Sequence, residues 1–103
     1  MKIYIAGPMT GKPGWNALAF TLAEKHLSAK GHTVLNPASH TPLYKPESIT
    51  HAQYMKIALA MVDACDAVYF LDGWEDSIGA QAEKEYAQNH DKICLFRGME
   101  IEA

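Results

Sequence analysis

The sequence predicts an α/β domain, with a parallel sheet of four strands and helices on both faces. Three observations carry that prediction. Short apolar runs alternate with helix-length amphipathic stretches in the order β-α-β-α-β-α-β. Each pair of successive strands is separated by enough chain for a helical crossover, which parallel strands need. The run Ala67-Val68-Tyr69-Phe70-Leu71 is apolar without alternation, as a central strand buried on both faces should be. Right-handed crossovers then give the strand order 2-1-3-4, with the switch point between the first and third strands. This is a Rossmann-like or flavodoxin-like three-layer arrangement. Ligands in such sheets bind beyond the carboxyl ends of the strands at the switch point.

Each element has its own signal. Lys2-Ile3-Tyr4-Ile5-Ala6 reads as the first strand. Gly7-Pro8-Met9-Thr10-Gly11-Lys12-Pro13-Gly14 follows, a loop by its glycines and prolines. Asn16 could cap the next helix, which runs to about Lys30 with an inward stripe of Ala19, Leu22, Ala23, His26 and Leu27. Gly31 reads as its C-terminal stop, and His32–Leu35 as the second strand. Asn36 to about Thr50 is a loop with Pro37, Pro42 and Pro46, long for so small a domain. The second helix spans about Thr50 to Cys65, with a stripe of Tyr54, Ile57, Ala58, Met61, Val62 and Cys65. After the third strand comes the loop Asp72–Asp76, then a helix over Ser77–His90 and the strand Lys92–Phe96. The tail Arg97–Ala103 is polar and expected to fray.

A length of 103 residues fits one domain, residues 1–103. The net charge of -3 and the scatter of Lys and Arg argue against a nucleic-acid polymer as partner. Cys65 and Cys94 lie in or beside apolar runs, and no Cys/His spacing suggests a zinc site. No stretch is long enough to span a membrane and none resembles a signal peptide. The expectation is a cytoplasmic protein with no membrane partner.

Glu83 is the most informative residue. On its helix it shares a face with Gly79, Ala80, Tyr86 and Ala87, while Glu85 joins Gln81, Lys84, Gln88 and Asn89 on the other side. One carboxylate belongs to solvent; Glu83 is aimed at the sheet. A carboxylate in an apolar setting is costly unless it is paired or used. It is either a structural partner for Lys, His or Tyr, or a chemical group.

The other candidates gather around the switch point. Gly7, Pro8 and Met9 lack the dinucleotide G-x-G-x-x-G spacing. Their turn either holds a phosphate or sugar hydroxyl on backbone N–H groups, or is a plain tight turn. Ser77 is a good N-cap, and a helix N-terminus after a strand is an anion site. Gly79 lowers helix stability, which suggests close approach of ligand or backbone. Asp72 and Gly73 end the third strand, as a ligand contact or as an ordinary turn. Trp74 walls a base pocket or covers the core edge. Tyr4 reaches the site or is a satisfied core tyrosine. His40 and His51 flank the long loop and are read as solvent-exposed.

Taken together, Tyr4-Ile5-Ala6-Gly7-Pro8-Met9, Cys65-Asp66-Ala67-Val68, Leu71-Asp72-Gly73-Trp74 and Ser77-Ile78-Gly79-Ala80-Gln81-Ala82-Glu83 resemble the nucleoside 2-deoxyribosyltransferase superfamily. The likeness is greatest to its small branch found in phages and prophages, and it covers nearly the whole chain. It implies a Rossmann-like fold, a homodimer or larger homo-oligomer, and cleavage of the bond between a base and 2-deoxyribose. It places the family's nucleophilic Glu on Glu83 and its positioning Tyr on Tyr4. Ser77 stands where transferases carry Asp, as in members that hydrolyse deoxynucleoside 5'-monophosphates and hold the phosphate with Ser. One departure concerns the acid that assists the leaving base, since its position falls on Ala58. Lys56 lies on the opposite side of that helix. Tyr54, one turn before Ala58 on the same face, is the available substitute.

The expected ligand is a small nucleotide or deoxynucleoside. The expected reaction is N-glycosidic cleavage or deoxyribosyl transfer through Glu83, which needs no metal or organic cofactor. The alternative is a non-catalytic nucleotide-binding or sensing module of the same fold.

Overall fold

Four strands form one parallel sheet in the order β2-β1-β3-β4: β1 Lys2–Ala6, β2 Thr33–Leu35, β3 Ala67–Phe70 and β4 Ile93–Phe96. The helices are α1 Ala17–Ala29, α2 His51–Asp63 and α3 Ile78–Asn89. The computed structural model describes residues 1–39 and 49–97. His40, Pro42 and Pro46 of the long loop, and the tail beyond Arg97, lie outside them.

Strand alternation sorts the core into two layers. Ile3 and Ile5 of β1, with Ala67 and Tyr69 of β3, join Phe20, Ala23 and Leu27 of α1. Tyr4 and Ala6, with Val68 and Phe70, face the other way and join Ala58 and Val62 of α2 and Ala80 and Ala87 of α3. Tyr4 is therefore directed by strand parity into the layer that also holds α3. Its partner in register on β3 is Val68, so it stands in the sheet centre, fully buried.

Two features of the first helix differ from expectation. Its inward face carries Phe20, Ala23 and Leu27, while Leu22 is 57% exposed and His26 faces solvent. Ala17–Ala29 is apolar over much of its circumference, and the large Phe20 ring takes the interior that Leu22 was expected to share. Asn16 occupies the N-cap position, but its side chain does not cap. Its Nδ2 donates to the Pro8 carbonyl at 2.9 Å instead, pinning the loop after β1. Gly31 stops the helix as expected, with φ of +91°.

The second helix starts more sharply than its apolar stripe shows. Thr50 Oγ1 accepts from the Gln53 N–H at 3.1 Å, and Gln53 Oε1 accepts from the Thr50 N–H at 2.9 Å. This reciprocal capping box fixes the helix origin and puts His51 in its first turn. No helix among the described residues is long and apolar enough to cross a membrane.

Candidate functional site

Glu83 is 3% exposed, on the inward face of α3. The Tyr4 hydroxyl donates a hydrogen bond to its Oε2. Burial pushes the Glu83 carboxyl up to about 8, and the Tyr4 hydrogen bond works against that rise. Tyr4 is itself held well above the ordinary phenol range, first by burial and then by the nearby Glu83 charge. Tyr54 on α2 is raised by burial and by the same charge, and its hydroxyl neighbours that of Tyr4. The three groups, Tyr4 and Glu83 buried and Tyr54 half-buried, form one polar cluster in an otherwise apolar layer.

Glu83 and Tyr54 line a cleft of about 560 Å³, within the range of small-molecule sites, and Tyr4 lies behind Glu83. One wall is the loop Gly7–Thr10, directly after β1. The second is the first turn of α2, from Thr50 to Tyr54. The third is the start of α3, from Asp76 to Ala80. All three lie at the carboxyl ends of β1 and β3, the switch point of the sheet.

The α3 wall is polar at its mouth. Ser77 Oγ accepts from the Ala80 N–H at 3.1 Å, and the Ser77 carbonyl receives the Gln81 N–H at 2.9 Å. The Ile78 and Gly79 N–H groups precede the first helical hydrogen bond and have no intrahelical acceptor. The Ser77 hydroxyl accepts in its cap and still has its own proton to donate. With the helix dipole, this arrangement favours an anion. The α2 N-terminus lies alongside: a Cβ placed on Gly79 would stand 3.5 Å from Met55 Sδ and 3.7 Å from His51 Cε1. Those are ordinary contacts, so packing alone does not require glycine there.

Gly7 is different. A Cβ at this position would lie 2.9 Å from Leu71 Cβ and 3.0 Å from its Cδ1, where β3 ends beside the loop. Gly7→Ala must displace Leu71, which is buried, and should destabilise the protein by about 1–3 kcal/mol. Urea denaturation checks this; an unchanged midpoint would mean that the loop lifts away freely.

Among the sequence candidates, Tyr4 and Glu83 meet directly, and Gly7, Pro8, Met9, Ser77 and Gly79 line the cleft. Asp72, Gly73 and Trp74 do not line it. Asp72 is exposed and pairs with Arg97 at 2.7 Å. Gly73 takes a left-handed turn, with φ of +85°, and packs against Pro8 from behind. Trp74 packs outside the cleft, tilted against Phe70 and Phe96 with ring centroids 5.3 and 5.5 Å away, and Lys84 lies over its ring. Ala58 is buried among Val62, Ala80 and Tyr4, with no acid in its place.

His51 and Tyr54 are the lining residues that the sequence left at the margin. His51 is exposed, as expected, yet it borders the cleft mouth. The Thr50-His51-Ala52-Gln53 capping box was the available signal. It sets the start of α2 and brings His51 beside the start of α3. No cluster of metal-ligating side chains occurs among the described residues.

Comparison with known proteins bears on the fold. Residues 1–96 match the family model described as "Domain of unknown function (DUF4406)". The fold is similar to the structure described as 2-desoxiribosyltransferase from Leishmania mexicana, with a TM-score of 0.70 and 22% sequence identity. The match covers 92% of this chain and 62% of that one, so the chain spans about three fifths of that protein's length. No curated protein matches the chain.

Proposed function

The chain belongs to the family described as Domain of unknown function (DUF4406), and on that footing we propose that it cleaves the base–deoxyribose bond of a small nucleotide or deoxynucleoside. The observation that carries this reading is a buried Glu83, held by Tyr4, lining a cleft that a helix N-terminus also lines. A carboxyl whose titration is displaced by desolvation, set in a cleft, marks a functional site whatever its role there.

In the proposed reaction the ionised Glu83 attacks the anomeric carbon through an oxocarbenium-like transition state. The base departs, leaving a deoxyribosyl ester on Glu83. Water, or a second base, then releases the sugar. Tyr4 holds the carboxylate in line by its hydrogen bond. Ser77 and the Ile78 and Gly79 N–H groups receive a phosphate or the sugar's hydroxyl. Gly7–Met9 closes over the opposite side. A neighbouring subunit of a homo-oligomer would complete the open side of the cleft.

Two observations favour a second reading, a nucleotide-binding or sensing module. Ala58 supplies no acid, and Glu83 at about 8 is mostly protonated at neutral pH. The test is chromatographic detection of free base from deoxynucleosides and deoxynucleoside 5'-monophosphates, wild type beside Glu83→Ala. Release by wild type alone is the expected result. No release at enzyme concentrations near those of substrate, with ligand binding retained, would leave the binding module.

A further inference from the structure

Resting on the glycosidase reading above, we propose that Tyr54 is the proton donor to the departing base. A leaving purine or pyrimidine carries off the electron pair of the broken C–N bond and is poor at holding it. Some group in the cleft must supply a proton as that bond stretches. The α2 face opposite Glu83 offers two side chains at successive turns, Ala58 and Tyr54. Only Tyr54 has a proton to give.

Its surroundings suit the task. Tyr54 lines the cleft, and beside the Tyr4 hydroxyl its own hydroxyl donates to the Met9 sulfur at 4.0 Å, a weak acceptor. A ligand nitrogen or carbonyl entering the cleft would be a far better acceptor. The Tyr4 proton is already committed to Glu83. Tyr54 stands beyond Tyr4, one hydroxyl removed from the nucleophile. His51 and Asp76 also border the cleft, but they sit at its mouth beside the α3 N-terminus, where an anionic group would dock.

The timing follows from electrostatics. Burial first, and the charge of an ionised Glu83 second, keep the Tyr54 proton in place. When Glu83 forms its ester bond to the anomeric carbon, that charge vanishes and Tyr54 becomes a better acid as the base needs the proton. The steps balance. The Glu83 oxygen bonds to the anomeric carbon, and the C–N pair goes to the base. The Tyr54 proton follows that pair and leaves a phenolate. Water then adds to the anomeric carbon and expels the Glu83 carboxylate, and the water's proton restores Tyr54.

A donor to the leaving group matters little when the leaving group needs no proton. The experiment compares wild type, Tyr54→Phe and His51→Ala on two kinds of probe. One is the panel of deoxynucleosides and their 5'-monophosphates. The other is 4-nitrophenyl 2-deoxyriboside and its 5-phosphate. Tyr54→Phe should lose roughly 10²-fold or more in kcat on the natural bases and less than about tenfold on the aryl probes. Equal loss on both kinds would overturn the assignment, as would a leaving-group dependence that appears in His51→Ala instead. A wild type silent on every probe would sink the glycosidase reading itself, which separates the two failures.

Discussion

Glu83→Gln is expected to be more stable than wild type at pH 9, by a few kcal/mol, with the gap closing toward pH 5. In the unfolded chain Glu83 titrates near the ordinary carboxyl value of 4.5, and in the folded protein near 8. Below about 4.5 both states hold the proton, and ionisation contributes nothing to the difference. Between these values the unfolded chain releases a proton that the folded protein keeps, so stability falls as pH rises. The slope is at most about 1.4 kcal/mol per pH unit, which caps the loss at about 5 kcal/mol. Above about 8 both states are ionised and the curve flattens. Glutamine cannot ionise, and its carbonyl can still accept from Tyr4. Urea denaturation of both proteins at pH 5, 7 and 9 measures the gap directly. Parallel stability curves would show that Glu83 ionises in the folded protein as easily as in the unfolded chain. A residue that destabilises its own fold at working pH points to a use other than packing.

The parts of this arrangement legible in the sequence are those set by periodicity. The 2-1-3-4 order follows from alternating elements and an unbroken apolar third strand, and the sheet has that order. The inward turn of Glu83 follows from helical spacing, and the residue is buried on that face. Strand parity is equally rigid: once Ile3 and Ile5 face α1, Tyr4 must face α2 and α3. What periodicity cannot settle is rotation within an element whose apolar face is broad. Hence α1 buries Phe20 rather than Leu22.

Loops were harder still. Position at a strand end places Asp72–Trp74 at the correct edge of the sheet, yet says nothing of which side each residue takes. The Gly73 turn directs Trp74 away from the cleft and onto Phe96. The marginal position of His51 and Tyr54 has the same origin. Their helix was visible, but its approach to α3 is a tertiary fact, read from Gly79 packing near Met55 and His51.

Tyr4→Phe should slow base release at pH 7 by roughly 10- to 100-fold and recover much of that loss at high pH. The nucleophile is the ionised carboxylate, so wild-type turnover should rise with pH through about 8. The Tyr4 hydrogen bond favours the ionised form and restrains the rise that burial causes. A hydrogen bond to a charged group is worth about 1.5–3 kcal/mol, so its removal moves the midpoint up by about one to two pH units. At pH 7 the ionised fraction then falls by the corresponding factor. Phenylalanine keeps the ring that fills the sheet centre, so the fold should survive the change. The discriminating measurement is kcat against pH for both proteins. A displaced midpoint with a similar plateau assigns Tyr4 to holding the carboxylate ionised. A loss that is uniform with pH would instead place its contribution in the transition state, and an unchanged profile would leave Tyr4 as a core residue only. Because the same hydroxyl separates Glu83 from Tyr54, its removal also tests whether the three groups act as one unit. In that case the losses in Tyr4→Phe and Tyr54→Phe should fail to add in the double variant.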